Sequence, residues 1–166
     1  MPLIGSTEDH LGDDANSLAP VTVERLGETL KVLEINYGDD GEGTLIAGFE
    51  GNPCWFRVAG PGGQDIAFVF DARWRHSLPA DSMPDALMAI NDWNQQNPFP
   101  RAMIANDEDG NVIFGCDFIR DFEFGLTDMQ LRNDITIAIT TTIQYWQMLD
   151  DRFEGQTISD DEEPEA

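Results

Sequence analysis

Asn91-Asp92-Trp93-Asn94-Gln95-Gln96-Asn97-Pro98-Phe99-Pro100-Arg101 is the stretch on which the fold turns. It reads as the end of an amphipathic helix, an abrupt turn bracketed by Pro98 and Pro100, and the entry to a strand. Upstream, Met83, Leu87, Ile90 and Asn94 fall on one line of a helix expected over about 83–97, with Ser82 as its cap. In helical phase Asn94 lies between Leu87 and Ile90, on the side expected to face the core. A buried amide without partners costs roughly 1–3 kcal/mol. The nearest backbone groups lacking a ladder are those of the turn at 97–100, so Asn94 is expected to pin that turn and set the angle of the next strand. The competing reading of Asn94 is a contact to a ligand or partner.

Working outward, Arg101–Asn106 and Asn111–Phe118 are expected to pair as a hairpin about Asp107-Glu108-Asp109-Gly110, a short-turn signal. Asp107-x-Asp109-x-Asn111 superficially resembles a calcium loop, but its glycine is misplaced and no downstream Glu completes the twelve residues. After Gly125, Thr127 and Gln130 have the spacing of a capping box. The run Asp134–Ile143 is β-branched enough for a strand, yet Leu131, Ile135, Ile139, Ile143 and Trp146 keep a helical stripe to Leu149. Each β-branched residue costs a few tenths of a kcal/mol in a helix, whereas a buried Ile contributes about 1.5–3 kcal/mol. A long helix over about 128–152 follows.

Toward the N-terminus, Thr22 caps a helix expected over about 22–36, with Val23, Leu26, Leu30 and Leu33 on one stripe. Three strands are expected at Thr44–Glu50, Cys54–Ala59 and Asp65–Arg73, separated by Gly51-Asn52-Pro53 and Gly60-Pro61-Gly62-Gly63. Connections this short favour an antiparallel meander. The fold class is thus α+β: helix, three-strand meander, helix, hairpin and long C-terminal helix, a single mainly antiparallel sheet flanked by helices. Residues 1–20 read as a flexible acidic arm, 21–152 as the domain, and 153–166 as a disordered acidic tail.

The 166 residues are 41% hydrophobic and 10% aromatic, enough for one real core. Acids outnumber bases 32 to 9, for a formal charge of -23. Such a surface repels phosphate backbones and anionic membranes, so neither nucleic acid nor membrane is an expected partner. The start lacks a signal peptide's basic and apolar regions, no apolar run approaches a membrane span, and a soluble cytoplasmic protein is expected. Cys54 and Cys116 lack CxxC spacing and read as buried thiols in a reducing compartment.

No catalytic set emerges. His10 and His76 form no triad with a nucleophile by spacing, the glycine-rich stretch at 60–63 lacks Gly-Lys-Ser/Thr, and HExxH is absent. No metal and no cofactor are expected. Trp74, Arg75 and Phe99 stand at strand or loop ends and are the candidate protein contacts, against the plainer reading that they close the rim of the core.

Several marks together resemble the bacterial YbjN domain: Asn91-x-x-Asn94 with Trp93, Phe99-Pro100-Arg101, Asp109-Gly110-Asn111-Val112, and Gly125-Leu126-Thr127. The resemblance covers roughly Val21 to Asp151. It implies a fold like that of type III secretion chaperones, homodimers that hold extended segments of a partner protein. The family is described as sensory-transduction regulators, a description without chemistry. The expected function is a non-enzymatic chaperone-like interaction module, dimeric, with a partner segment of unknown identity. The alternative is a small-molecule-sensing regulatory domain with a pocket between sheet and helices.

Overall fold

A computed structural model describes residues 17–158; the expectations for 1–16 and 159–166 lie outside the described residues. The elements are α1 (Val23–Val32), β1 (Gly38–Asp39), β2 (Thr44–Phe49), β3 (Asn52–Ala59), β4 (Ala67–Leu78), α2 (Met83–Gln96), β5 (Arg101–Asn106), β6 (Val112–Asp121) and α3 (Asp128–Arg152). Short 3-10 turns at Pro61–Gly63 and Ala80–Ser82 join β3 to β4 and β4 to α2. All strands pair antiparallel in one open sheet of order β1-β2-β3-β4-β6-β5. The class is therefore α+β, with the two-residue β1 added at one edge.

Each helix forms where its local signals say, with two informative departures. Thr22 Oγ1 accepts the Arg25 N–H at 3.2 Å and starts α1. The helix stops four residues earlier than its stripe suggests, because Glu34 adopts φ +58. The Glu34 N–H then bonds the Lys31 carbonyl and the Ile35 N–H the Leu30 carbonyl, a Schellman ending built without glycine. At α3 the capping box of Thr127 and Gln130 is made in full. Thr136, Thr140 and Thr141 return their hydroxyls to carbonyls one turn back, so this β-branched run stays helical with its polar groups satisfied.

α2 departs in its facing. Ala86, Ala89 and Trp93 are its buried residues, whereas Leu87 and Met88 are exposed. The two alanines let the helix approach the β5 edge closely, and the area of Trp93 outweighs that of Leu87 in choosing the rotation. Asn94 consequently lies on the exposed flank, and the expectation that it faces the core is corrected. Ser82 makes no side-chain cap bond; the helix is led in by the 3-10 turn and by Pro84.

One face of the sheet is covered: α1 touches β2 and β3, α3 touches β4 and β6, and α2 lies along β5. Strand alternation aims Leu45, Phe56, Phe70, Trp74, Phe114 and Phe118 at that side, all buried. Phe56 and Phe70 meet edge to face at 5.0 Å, and Trp74 meets Phe114 likewise at 5.7 Å. Cys54 and Cys116 lie in the same layer, where burial pushes both thiols up to about 12. At that value they are protonated, inert core residues.

β4 is longer than its sequence pattern, running on through Trp74-Arg75-His76-Ser77 to Leu78, a stretch expected as loop. Its register against β6 shifts between Arg73, opposite Gly115, and Ser77, opposite Ile113. Four residues on β4 span two on β6, and this bulge erases the alternation a sequence reader relies on. On the other side of β4 the partners are not a strand. Asn52 Oδ1 accepts the Arg75 N–H at 2.7 Å, and the Ile158 N–H bonds the Ser77 carbonyl at 2.9 Å.

The folded unit also exceeds 21–152. Ala19 bridges Leu126, and Phe153, 2% exposed, packs on Trp74 and Phe114. Residues 153–158 thus belong to the packed structure.

Candidate functional site

The side of the sheet away from the helices has no element over it among the described residues, and cross-strand register maps it row by row. The central row is Ile46, Trp55, Asp71, Asp117 and Arg101. On one side lies Thr44, Arg57, Val69 and Ile119; on the other, Arg73, Gly115 and Met103. Ile46, Met103 and Ile119 keep 38, 37 and 52% of their surface exposed, and Trp55 and Ile113 are half-buried.

Charge on this face is arranged rather than scattered. Asp71 and Asp117 stand opposite each other on β4 and β6, a like-charge placement that costs stability alone. Each is held from its outer side: Arg57 donates to Asp71 at 3.0 and 2.8 Å, and Arg101 forks onto Asp117. The result is a band Arg57–Asp71–Asp117–Arg101 across an otherwise apolar surface. Arg73 is different. It lines a groove of about 200 Å3 with Trp55, Met103 and Ile113, and its guanidinium has no hydrogen bond or ion pair among the described residues.

The predicted contacts separate in the structure. Trp74 is 1% exposed, and its Nε1–H donates to Asp150 Oδ1 at 2.9 Å, so it is a core residue tying β4 to α3. As a surface contact it is corrected: the alternation inside the bulge turns it inward. Arg75 is exposed, but its guanidinium donates to the Glu50 carbonyl and to His76 Nε2. Phe99 is 41% exposed with its ring 4.9 Å from Phe118. Together with Pro98, Arg101, Asp117 and Ile119 it lines a groove of about 230 Å3 at the margin of the open face. Only Phe99 of the three adjoins the exposed surface described above.

The opening stretch shows its joinery here. Trp93 Nε1–H donates to the Pro100 carbonyl at 3.0 Å, and the Phe99–Pro100 peptide is cis. Asn94 Nδ2 donates to the Ala102 carbonyl at 3.1 Å, while its Oδ1 accepts the Ala102 N–H at 2.9 Å. The amide thus does for Ala102 what a neighbouring strand would do, and its partner is the second residue past the turn rather than the turn itself. Asn52, 1% exposed, does the same for Arg75 at the β4 edge and was not singled out from sequence. Its position after Gly51 at a hairpin turn carries no signal beyond turn propensity.

No group of three or more metal-ligating side chains occurs among the described residues. Two further surface grooves, of about 400 and 410 Å3, lie between α1 and α3 and between α2 and α3. No helix among the described residues is long and apolar enough to cross a membrane. Buried Tyr145 and Trp146 leave Oη and Nε1 without a partner in the core, and burial raises the Tyr145 pKa.

Residues 22–151 match the YbjN family, described as "Putative bacterial sensory transduction regulator". Among solved structures, YbjN from E. coli is similar with a TM-score of 0.66 at 14% identity, over 86% of this chain and 99% of that one. An uncharacterized protein from Methanothermobacter thermautotrophicus reaches 0.54 at 12% identity, over 80% and 99%. A chain of the ExoT-SpcS complex from Pseudomonas aeruginosa reaches 0.43 at 12%, over 74% and 96%, too low to argue from. At these identities the likeness speaks for the fold alone. No curated protein matches the chain.

Proposed function

The chain belongs to the YbjN family, and from that premise we propose that the domain is a non-enzymatic protein-interaction regulator whose uncovered sheet face holds an apolar segment of a partner. The observation that carries this is the asymmetry of the sheet. One face is sealed by three helices, while the other keeps Ile46, Met103 and Ile119 partly exposed around a charged band. Apolar side chains supply most of the affinity of such a surface, and the Arg57–Asp71 and Arg101–Asp117 pairs supply orientation. A formal charge of -23 draws in partners with basic flanks at long range.

The test is capture of a partner from the native host, with bound proteins identified by mass spectrometry. Ile119→Asp on the open face abolishes capture, and Leu87→Asp, on the exposed side of α2, leaves it intact. Equal capture by the two variants refutes the reading.

The proposal extends to a homodimer. Asn94 closes the β5 edge at Ala102, but the Ile104 N–H and C=O, which point the same way, have no partner among the described residues. A two-fold-related β5 fits there. Light scattering at tens of micromolar should return twice the chain mass. Ile104→Pro removes the edge N–H together with a side chain packed against the core, and should return a folded monomer of lowered stability.

A further inference from the structure

We propose that the groove between Trp55, Arg73, Met103 and Gly115 on the uncovered sheet face is a binding site for a small aromatic carboxylate, with its carboxylate held by the Arg73 guanidinium and its ring laid over Gly115. The site needs no partner protein, so it is independent of the function proposed above.

Three observations carry it. The first is charge. Lys and Arg number 9 against 32 acids, so most cations in this chain find an acid. Six of the 9 sit in ion pairs, and Arg75 is bonded to the Glu50 carbonyl and to His76. Of the remaining two, Arg132 shares its groove with Glu24, Glu28 and Asp128. Arg73 has no ion pair or hydrogen bond among the described residues, and its groove of about 200 Å3 is lined by no acid. Asp71 and Asp117, in the adjacent row, are already neutralised by Arg57 and Arg101. A guanidinium beside an apolar groove offers a planar fork of donors, which a carboxylate meets with two hydrogen bonds.

The second is the floor. Register sets Arg73, Gly115 and Met103 in one row across β4, β6 and β5. With neighbouring strands about 4.8 Å apart, the outer two Cα atoms stand about 10 Å apart over a residue with no side chain. Glycine inside a strand weakens it and marks a bulge or a close approach. The bulge beyond Arg73 is carried by β4, not by β6, and Gly115 lacks the positive φ that glycine serves elsewhere in the chain. Crowding does not demand it either. A Cβ there would meet the Ala72 carbonyl oxygen at 3.5 Å and Met103 Cγ at 3.7 Å, both ordinary contacts. What the glycine supplies is space above the strand.

The third is size and lining. About 200 Å3 is below the roughly 300–1,000 Å3 of a site for a drug-sized ligand, so one ring with one carboxylate fills it. Half-buried Trp55 and exposed Met103 stand on the strands to either side, and the pair Ala105 and Ile113 continues the apolar lining along β5 and β6. An indole and a thioether both make favourable contacts to an aromatic ring.

The experiment titrates the full ¹⁵N-labelled chain with phenylacetate, acetate and benzyl alcohol at neutral pH and constant ionic strength, following the Trp55 indole N–H and the Met103 and Gly115 amides. Phenylacetate, with about ten non-hydrogen atoms, should shift these signals saturably with a Kd on the order of hundreds of micromolar. Acetate, which lacks the ring, and benzyl alcohol, which lacks the charge, should each bind at least about tenfold more weakly. Arg73→Gln should weaken phenylacetate by about tenfold or more and leave benzyl alcohol unchanged, a split that a folding defect does not give. Gly115→Val should fill the floor and abolish binding of both. Should valine unfold the chain, Gly115→Ala, whose Cβ makes only ordinary contacts, should weaken both. Three results overturn the proposal: no saturable shift up to about 20 mM phenylacetate, equal affinity for phenylacetate and benzyl alcohol, or an unchanged response in Arg73→Gln. Groove signals that move with protein concentration alone mark a second copy as the occupant and overturn it too. Capture by Ile119→Asp bears on the partner reading and not on this one.

Discussion

Replacing Asn94 separates a fold-setting amide from a contact residue. Its side chain makes two hydrogen bonds, at 3.1 and 2.9 Å, to the carbonyl and N–H of Ala102. A net value of roughly 0.5–1.5 kcal/mol per bond gives about 1–3 kcal/mol, and the exposed flank of α2 argues for the lower half. Alanine recovers up to about 0.7 kcal/mol of helix propensity. Asn94→Ala should therefore cost about 1 kcal/mol, a Tm decrease of roughly 2–4 °C. Asn94→Asp keeps the shape and the acceptor for the Ala102 N–H but turns a carboxylate toward the Ala102 carbonyl near the helix C-terminus, where negative charge is unfavourable. It should be worse than alanine at pH 7 and recover below about pH 4, where the protonated acid donates again. Urea unfolding measures both, and hydrogen exchange at the Ala102 amide should accelerate several-fold. Asn94→Ala within about 0.3 kcal/mol of the parent, a typical surface-substitution effect, with Ala102 exchange unchanged, refutes the assignment.

Three further outcomes follow from the packing. Trp74→Phe loses buried area and the bond to Asp150 and should lower stability by about 2–3 kcal/mol in urea titration; a neutral effect contradicts its place in the core. Gly125 has φ +86, and a Cβ there would lie 2.8 Å from the Ala19 carbonyl oxygen. Gly125→Ala should cost about 2 kcal/mol or more by thermal melting, since strain and a backbone clash add. Asp134 is buried, its Oδ2 lies 3.3 Å from Arg120 Nε without making a hydrogen bond, and burial raises its pKa more than Arg120 lowers it. Its favourable contribution is therefore full below the unfolded-state pKa of about 4 and is lost as pH rises through the higher folded value. Asp134→Asn should match the parent at low pH and be the more stable chain at pH 7; a gap that widens toward low pH refutes this.

The sequence by itself determined the element order, the α+β class and the caps of α1 and α3, because these rest on local signals. Apolar periodicity, a Thr before the first turn and an Asp-Gly hairpin act within a few residues of themselves. The long α3 was legible despite its Thr and Ile run, since burial of Ile135, Ile139 and Trp146 exceeds the propensity deficit. What the sequence left open was decided by partners distant in the chain. The end of α1 depends on Glu34 in a left-handed conformation that glycine would have announced. The rotation of α2 depends on competition between Trp93 and Leu87 for one sheet edge, which moved Asn94 to the flank and made Ala102 its partner. The extension of β4 depends on Asn52 and Ile158, 23 residues before Arg75 and far beyond Ser77 in sequence. The open face is the furthest from local signals. Alternation separates two sides of every strand, but Ile46, Trp55, Val69 and Ile119 are apolar enough to belong to either. Only the placement of all three helices on the opposite side leaves these residues, with Arg73, on the face that no helix covers.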